Sequence, residues 1–172
     1  MSEEILINIT PMESRVAVVE NGVLQEVHVE RTQRRGIVGN IYKGKVVRVL
    51  PGMQAAFVDI GLDRAAFIHA SEISLREGQA VESISSLVHE GQSLVVQVTK
   101  DPIGSKGARL TTQLSIPSRY LVYMPRTAHV GISLKIEDEA ERDRLKQVVS
   151  DCVAQEGIKE AGGFILRTAA EG

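Results

Sequence analysis

The chain has 172 residues, of which 43% are hydrophobic and 24% charged, a composition typical of a folded globular protein. The formal net charge of −2 argues against a protein that binds polyanions over its whole surface, although it allows local basic clusters. The single cysteine, Cys152, excludes an internal disulfide framework and a multi-cysteine metal site. The N-terminus has neither a basic segment nor a long apolar run, so we expect no signal peptide, no membrane span and a cytoplasmic location.

The first thirty residues predict a small antiparallel hairpin. Residues 5–10 alternate as a strand does, and residues 15–20 and 23–30 flank Asn21-Gly22. This dipeptide is a strong hairpin signal because both residues tolerate positive φ. We expect this hairpin, within residues 1–36, to be part of a larger sheet and to carry no chemistry of its own.

The next region, residues 37–117, predicts a small barrel. Five strands are expected, at residues 41–50, 55–60, 65–70, 94–100 and 108–116. A polar surface segment from Ser74 and a short helix over 83–90, ended by Gly91, are expected between the third and fourth strands. Five short strands with basic residues in the loops are typical of an OB-fold.

The central hairpin of this barrel, residues 55–70, sorts its side chains by chemistry, because successive strand residues point to opposite faces. One face is wholly apolar and is predicted to be core: Ala56, Val58, Ile60, Ala66 and Ile68. On the other face Phe57 lies opposite Phe67 if the loop is symmetric about Leu62, with His69 beside them. Two adjacent aromatic rings predict a stacking platform for nucleic-acid bases, although OB barrels also bind oligosaccharides and proteins.

Basic residues accompany this predicted platform. Lys43 and Lys45 share one face of the first barrel strand and are candidates for a groove that follows phosphates, with a solvated surface as the alternative. Lys106, in the tight loop DPIGSKG, is the basic residue that we favour most as a nucleic-acid contact.

Residues 118–172 predict an α+β segment with strands at 120–124, 132–136 and 164–166. A helix capped by Asp138 is expected to bury one apolar stripe. The stripe consists of Leu145, Val148, Val149, Cys152 and Val153. Arg167-Thr168 resembles a small phosphate clamp, although such pairs are common in sequences. We find no metal-ligand spacing and no catalytic constellation, and the small size of this segment leads us to expect a fragment of a longer protein.

These segments together resemble a known family. GNIYKGKVVRVLPGMQAAFVDIGLDRAAFIHASEI is similar to the start of an S-one domain, the OB-type RNA-binding module. ILINITPMESRVAVVENGVLQEVHVER, GSKGARLTT, SRYLVYMP and FILRTAAEG resemble the N-terminal part of the ribonuclease E/G family, and SRYLVYMP and HVGIS are closest to its G-type branch. The resemblance implies a mainly β fold in which a five-stranded OB barrel lies between part of an RNase-H-like subdomain and a partial 5′-sensor subdomain.

The family resemblance also implies a function. Its members are endoribonucleases that cut single-stranded RNA, prefer a 5′-monophosphate end, and act in ribosomal RNA maturation and messenger RNA decay. The residues that match the family's RNA contacts are Phe57, Phe67 and Lys106, and those that match its monophosphate pocket are Arg167, Thr168 and the backbone around Val122. Ser118 stands where the ribonuclease E version of that pocket has a glycine.

The family's magnesium-binding aspartates and zinc-linking cysteines belong to a later domain, so this chain is expected to bind RNA without cutting it. The resemblance implies a homo-oligomer for the whole protein. The alternative is an OB-fold domain for protein interaction, in which Phe57 and Phe67 form a packing surface.

Overall fold

The computed structural model describes residues 2–73, 83–157 and 162–172, and it divides into two units, Met1–Ile37 and Val38–Gly172. The first unit is an antiparallel sheet in the order β1-β2-β3. Its strands are β1 (Glu3–Ile9), β2 (Glu13–Glu20) and β3 (Val23–Arg31). The turn predicted at Asn21-Gly22 is confirmed by φ values of 49° and 78°, and β1 adds a third strand to the hairpin.

The second unit begins with a closed barrel in the strand order β4-β5-β6-β8-β7, which confirms the predicted five-stranded OB-type barrel. The strands are β4 (Ile41–Leu50), β5 (Ala55–Asp59), β6 (Ala66–His69), β7 (Ser93–Lys100) and β8 (Arg109–Thr111), and a short helix, α1 (Ile84–Leu87), precedes β7. The polar segment predicted from Ser74 lies almost wholly outside the described residues, and α1 is shorter than the helix predicted over 83–90.

The apolar face predicted for the central hairpin forms the barrel core. All five of its residues are buried: Ala56, Val58, Ile60, Ala66 and Ile68. Val46, Val96, Val98 and Leu110 from the other three strands complete this interior. Because one side of every strand is apolar and buried, the opposite side of every strand is the outer surface of the barrel.

The last barrel strand ends earlier than the sequence predicts. β8 stops at Thr111 because the next backbone groups find other partners. Thr112 donates its backbone N–H to Glu72 O at 2.9 Å. The Gln97 side chain then donates to Ser115 O at 2.8 Å and accepts from Ser115 N at 2.8 Å. These bonds replace the strand pairing expected over residues 112–116.

The rest of the second unit is a four-stranded sheet in the order β11-β12-β10-β9, with one long helix. The elements are β9 (Ile116–Pro117), β10 (Leu121–Met124), β11 (Val130–Ile132), α2 (Glu139–Gln155) and β12 (Gly163–Leu166). The strand predicted over 132–136 is wrong beyond Ile132, because Ile136 N–H bonds back to Ser133 O at 3.1 Å to form a turn. The domain boundaries predicted after residues 36 and 117 remain predictions.

The helix α2 has the predicted N-cap but not the predicted buried stripe. The Asp138 carboxylate accepts a hydrogen bond from Ala140 N at 3.0 Å. Of the five stripe residues only Leu145 is buried, while Val148 is 45% exposed and Cys152 is exposed. The prediction of a core cysteine is therefore wrong. The fully buried cluster below the helix is small, comprising Ile136, Leu145 and Leu166, and the partly buried Val149 packs against it.

Glu141 links the first turn of α2 to the end of the chain, and this link predicts a pH dependence. Hydrogen bonds from the Arg144 guanidinium at 2.6 Å, and then from Gly172 N at 3.0 Å, lower the pKa of Glu141 from 4.5 to about 2. A carboxylate with a lowered pKa in the folded state stabilises that state above its unfolded pKa, and the contribution is lost as the pH falls from about 4.5 towards 2.

We therefore expect Glu141→Gln to lower the urea midpoint of unfolding near neutral pH, and the difference from the wild type to shrink as the pH approaches about 2. Urea titrations followed by circular dichroism across this range measure the effect. Glu139→Gln is the control, because Glu139 is 85% exposed and its ion pair with Arg142 spans 3.9 Å. A difference for Glu141→Gln that is constant with pH contradicts the prediction.

Candidate nucleic-acid interface

Phe57 and Phe67 form an aromatic pair on the outer surface of the barrel. They are direct partners across β5 and β6, which confirms the register predicted from a loop symmetric about Leu62. Their ring centroids are 6.2 Å apart and their planes make an angle of 69°, an edge-to-face arrangement. Both residues are half-buried. The edge of one ring contacts the other ring, and the remaining apolar ring surface is open to solvent.

The two polar residues beside the rings are fixed by their own backbone. Asp59 Oδ1 accepts from Gly61 N at 2.8 Å and stabilises the hairpin turn. His69 Nδ1 accepts from Ser71 N at 3.2 Å and lies 2.9 Å from Ser71 Oγ. His69 therefore presents its Nε2 edge outward, in the pocket that it lines together with Phe67.

The loop that carries Lys106 is a hydrogen-bonded turn that leads into the strand paired with Phe67. Ile103 and Lys106 exchange two backbone hydrogen bonds, of 3.1 and 2.9 Å. The Arg64 guanidinium, from the central hairpin, donates to Gly104 O in the same turn. Two residues after Lys106, Ala108 O accepts from Phe67 N at 2.8 Å. Lys106 is exposed, and it lies two residues before Ala108, whose carbonyl binds the backbone of Phe67.

Gly107 is required for this arrangement, because a Cβ atom at this position would lie 2.1 Å from Ala65 O. We expect Gly107→Ala to lower the free energy of unfolding by about 1–3 kcal/mol, the usual cost of overpacking. RNA binding through Lys106 should weaken in parallel. Gly52→Ala is the matched control, since a Cβ there meets no atom within 4 Å. Thermal melts of the two variants measure the effect, and equal melting temperatures would refute the close approach.

Lys43 and Lys45 lie on the exposed side of β4, separated by the buried Gly44. Lys45 is the cross-strand partner of Asp59 on β5, and Lys43 is the partner of Val95 on β7. The two lysines share one face, as the sequence predicts. Lys45 adjoins the strand of Phe57, and Lys43 lies further along β4.

A second candidate site lies at the end of β12, where Arg167 and Thr168 follow the strand. Arg167 N donates to Tyr120 O at 2.7 Å, and its Nη1 donates to Ser118 O at 2.8 Å. The guanidinium is therefore anchored by one nitrogen. Ser118 is itself folded into a turn, since its Oγ donates to Leu121 O at 2.9 Å. Ser118 thus offers its carbonyl to Arg167 and its hydroxyl to the backbone.

Thr168 has a partner that the sequence did not reveal. Its Oγ1 lies 2.9 Å from Ser133 Oγ, and Ser133 N donates to Leu166 O at 2.9 Å. Arg119 and Ser133 line one open pocket together with Arg167 and Thr168. The pairing of β11 with β12 is parallel and joins residues more than thirty positions apart, so no local sequence pattern indicates this contact.

Val122 lies on the same face of the sheet as this pocket but does not line it. It is the direct partner of Ile165, and Ile165 is one of the lining residues. Arg167 thus contacts Ser118 and lines the pocket together with Thr168. Val122 adjoins the pocket only through its strand partner, Ile165.

The described residues offer no metal centre of their own. Within residues 2–73, 83–157 and 162–172 no group of three or more His, Cys, Asp or Glu side chains is arranged to hold a metal ion. In the same described ranges no helix is long and apolar enough to cross a membrane.

Comparisons with known proteins match two regions of the chain. Residues 36–101 match the S1 RNA binding domain, and residues 115–172 match the Ribonuclease E/G family. Ribonuclease G of Escherichia coli is 60% identical over 100% of this chain and 36% of its own length, and Ribonuclease G of Haemophilus influenzae is 57% identical over 98% and 35%. Ribonuclease E of Escherichia coli is 38% identical over 99% of this chain and 16% of its own length.

The chain thus spans about a third of the length of the ribonucleases G that it matches. Its barrel lies within the match to the RNA-binding domain up to residue 101, and the segment after the barrel lies within the match to the ribonuclease family. The chain belongs to the ribonuclease E/G family and corresponds to the N-terminal part of its members.

Proposed function

We propose that this chain is the RNA-recognition part of a ribonuclease G-like endoribonuclease. In this proposal the barrel holds single-stranded RNA, and the pocket at Arg167 and Thr168 holds its 5′-monophosphate. The observation that supports it most is the edge-to-face pair of Phe57 and Phe67 on the outside of a closed barrel, within the match to an RNA-binding domain.

The barrel supplies stacking and charge. A base stacked on an aromatic ring contributes about 1–3 kcal/mol and does so for any sequence, since every base has a π-face. The open ring surface of Phe57 and Phe67 takes the bases, and Lys106 on its hydrogen-bonded turn takes an adjacent phosphate. Lys43, Lys45 and His69 are secondary contacts, all exposed on the same barrel surface.

The pocket at the end of β12 supplies the preference for a 5′-monophosphate. A terminal phosphate carries close to two negative charges near neutral pH, whereas a 5′-hydroxyl carries none. Arg167 uses one nitrogen to bind Ser118 O, which fixes the guanidinium and leaves its remaining donors for phosphate oxygens. The Thr168 hydroxyl, held by Ser133, adds a neutral donor, and the backbone near Val122 completes the site.

The wider role follows from the family. We expect the whole protein to be a magnesium-dependent, homo-oligomeric cytoplasmic endoribonuclease that acts in ribosomal RNA maturation and messenger RNA decay. We expect magnesium and any zinc to be held by a later domain, as the family resemblance implies. The chain alone should therefore bind RNA without cutting it.

Fluorescence anisotropy with a single-stranded RNA of about ten nucleotides tests this proposal. We expect binding that weakens with salt, is tighter for a 5′-monophosphate than for a 5′-hydroxyl, and leaves the RNA intact in magnesium buffer. Binding that is independent of salt, or equal for duplex RNA, would favour the protein-interaction alternative. Cleavage of the RNA by the purified chain would overturn the expectation that this chain binds RNA without cutting it.

A further inference from the structure

A single row of side chains crosses all five strands of the barrel. Residues paired across neighbouring strands point to the same side of a sheet. In the strand order β4-β5-β6-β8-β7, the paired residues are Arg48, Phe57, Phe67, Arg109 and Lys100. The two aromatic rings therefore have Arg48 on one side and Arg109, then Lys100, on the other, along a row that follows the curved surface of the closed barrel.

The three cations of this row, Arg48, Arg109 and Lys100, are available for a ligand. All three are exposed. In the part of the chain that the structure describes, no ion pair involves any of them; the ion pairs of the second unit lie on α2. An exposed guanidinium with no carboxylate partner presents its fork of donors to solvent, and this fork matches the geometry of a phosphate.

A shared pocket supports the same assignment independently of strand register. Phe67, Arg109 and Lys100 line one open pocket of about 470 Å³ on the outside of the barrel, together with His69. Glu72 also lines this pocket, and its carboxylate repels a phosphate. A phosphate is therefore favoured beside the two cations. An aromatic face and two cations around one space suit a nucleotide, which has a flat base and an anionic link.

We propose that the RNA strand follows this row from β4, across the two rings, to the pocket lined by Arg109 and Lys100. Its bases stack on Phe57 and Phe67, Arg48 contacts a phosphate on one side, and Arg109 and Lys100 contact phosphates on the other. The part of the row from Arg48 to Arg109 spans three strand-to-strand steps of about 4.8 Å, or about 14 Å along the curved sheet. This inference rests on the proposed single-stranded RNA binding by the barrel and adds the direction of the strand and three contacts.

The row distinguishes the basic residues that lie in line with the two rings from those that do not, a difference that the sequence alone does not show. Lys43 is on the same strand as Arg48 but five residues earlier, which corresponds to about 16 Å along a strand. Lys43 is thus off the line of the two rings, whereas Arg109, more than forty residues after Phe67, is on it.

The test measures affinity for a 5′-hydroxyl single-stranded RNA, which removes any contribution from the 5′-phosphate pocket, at several salt concentrations. We expect Arg109→Ala and Arg48→Ala each to weaken binding about three- to tenfold. Each should also lower the salt slope of log K by about 0.7, the contribution of one phosphate contact to a single strand. Arg109→Lys should keep the slope, because it keeps the charge.

Lys146→Ala is the matched control, since it removes the same charge from the exposed face of α2, where Lys146 pairs with Asp143 at 3.0 Å. Melting curves confirm that each variant is folded. An Arg109→Ala variant with the affinity and slope of Lys146→Ala, while Phe67→Ala still weakens binding, overturns the row and leaves the platform intact. Wild-type affinity in Phe67→Ala as well overturns the platform, and the row falls with it.

Discussion

Replacement of both Phe57 and Phe67 by alanine should weaken the binding of 5′-hydroxyl single-stranded RNA by about 100-fold. Each ring that stacks a base contributes about 1–3 kcal/mol, so a single replacement should cost about tenfold. The rings touch edge to face, with centroids 6.2 Å apart, so the loss of one also removes the support of the other. The two single effects multiply to about 100-fold if the rings act independently, and a coupling between them would appear as a departure of the double replacement from this product.

The matched variant for this prediction is Phe57→Leu with Phe67→Leu. Leucine keeps apolar surface on the barrel but has no π-face, so stability should be kept while affinity falls. Fluorescence anisotropy and thermal melts of the same samples separate the two properties. Wild-type affinity in the double alanine variant would rule out the platform and favour a surface that packs against another protein.

Replacement of Arg167 by alanine should abolish the preference for a 5′-monophosphate over a 5′-hydroxyl end. A hydrogen bond to a charged group contributes about 1.5–3 kcal/mol, so a preference of about 10- to 100-fold should be lost. The affinity for 5′-hydroxyl RNA should stay unchanged, because the barrel contacts are intact. Arg167→Lys should keep only part of the preference, since lysine lacks the fork that binds Ser118 O and phosphate together.

Arg126→Ala is the control for this variant, because Arg126 is an exposed arginine in the same segment and does not line the pocket. Anisotropy titrations with paired 5′-monophosphate and 5′-hydroxyl oligonucleotides measure the ratio directly. An unchanged ratio in Arg167→Ala, or a ratio of one in the wild type, would show that this pocket does not sense the phosphate.

The central hairpin could be predicted from the sequence because its information is local. Alternation gives the face of each residue, and the turn at Gly61, stabilised by Asp59, gives the register that places Phe57 opposite Phe67. The partner on the far side of Phe67 could not be predicted. Arg109 reaches it through a parallel pairing that closes the barrel, and neither alternation nor turn chemistry indicates such a contact.

The same limit applies in the C-terminal segment. Arg167 and Thr168 could be proposed as a site because they adjoin in sequence, whereas Ser133 meets Thr168 only through the parallel pairing of β11 with β12. The prediction that the whole apolar stripe of α2 is buried was wrong for a related reason. Periodicity shows which face of α2 is apolar, but the extent of burial depends on the sheet beneath it, which covers Leu145 and leaves Cys152 exposed.

The parallel pairing of β6 with β8 also has a consequence for how the barrel folds. The hairpin of β5 and β6 is local and can form early, whereas the contact of Phe67 with Arg109 must close a loop of about forty residues, which is slow. The two rings and Arg48, which pair across local hairpins, therefore come together before Arg109 and Lys100 join them. The complete row of Arg48, Phe57, Phe67, Arg109 and Lys100 is assembled only in the last, long-range step of folding.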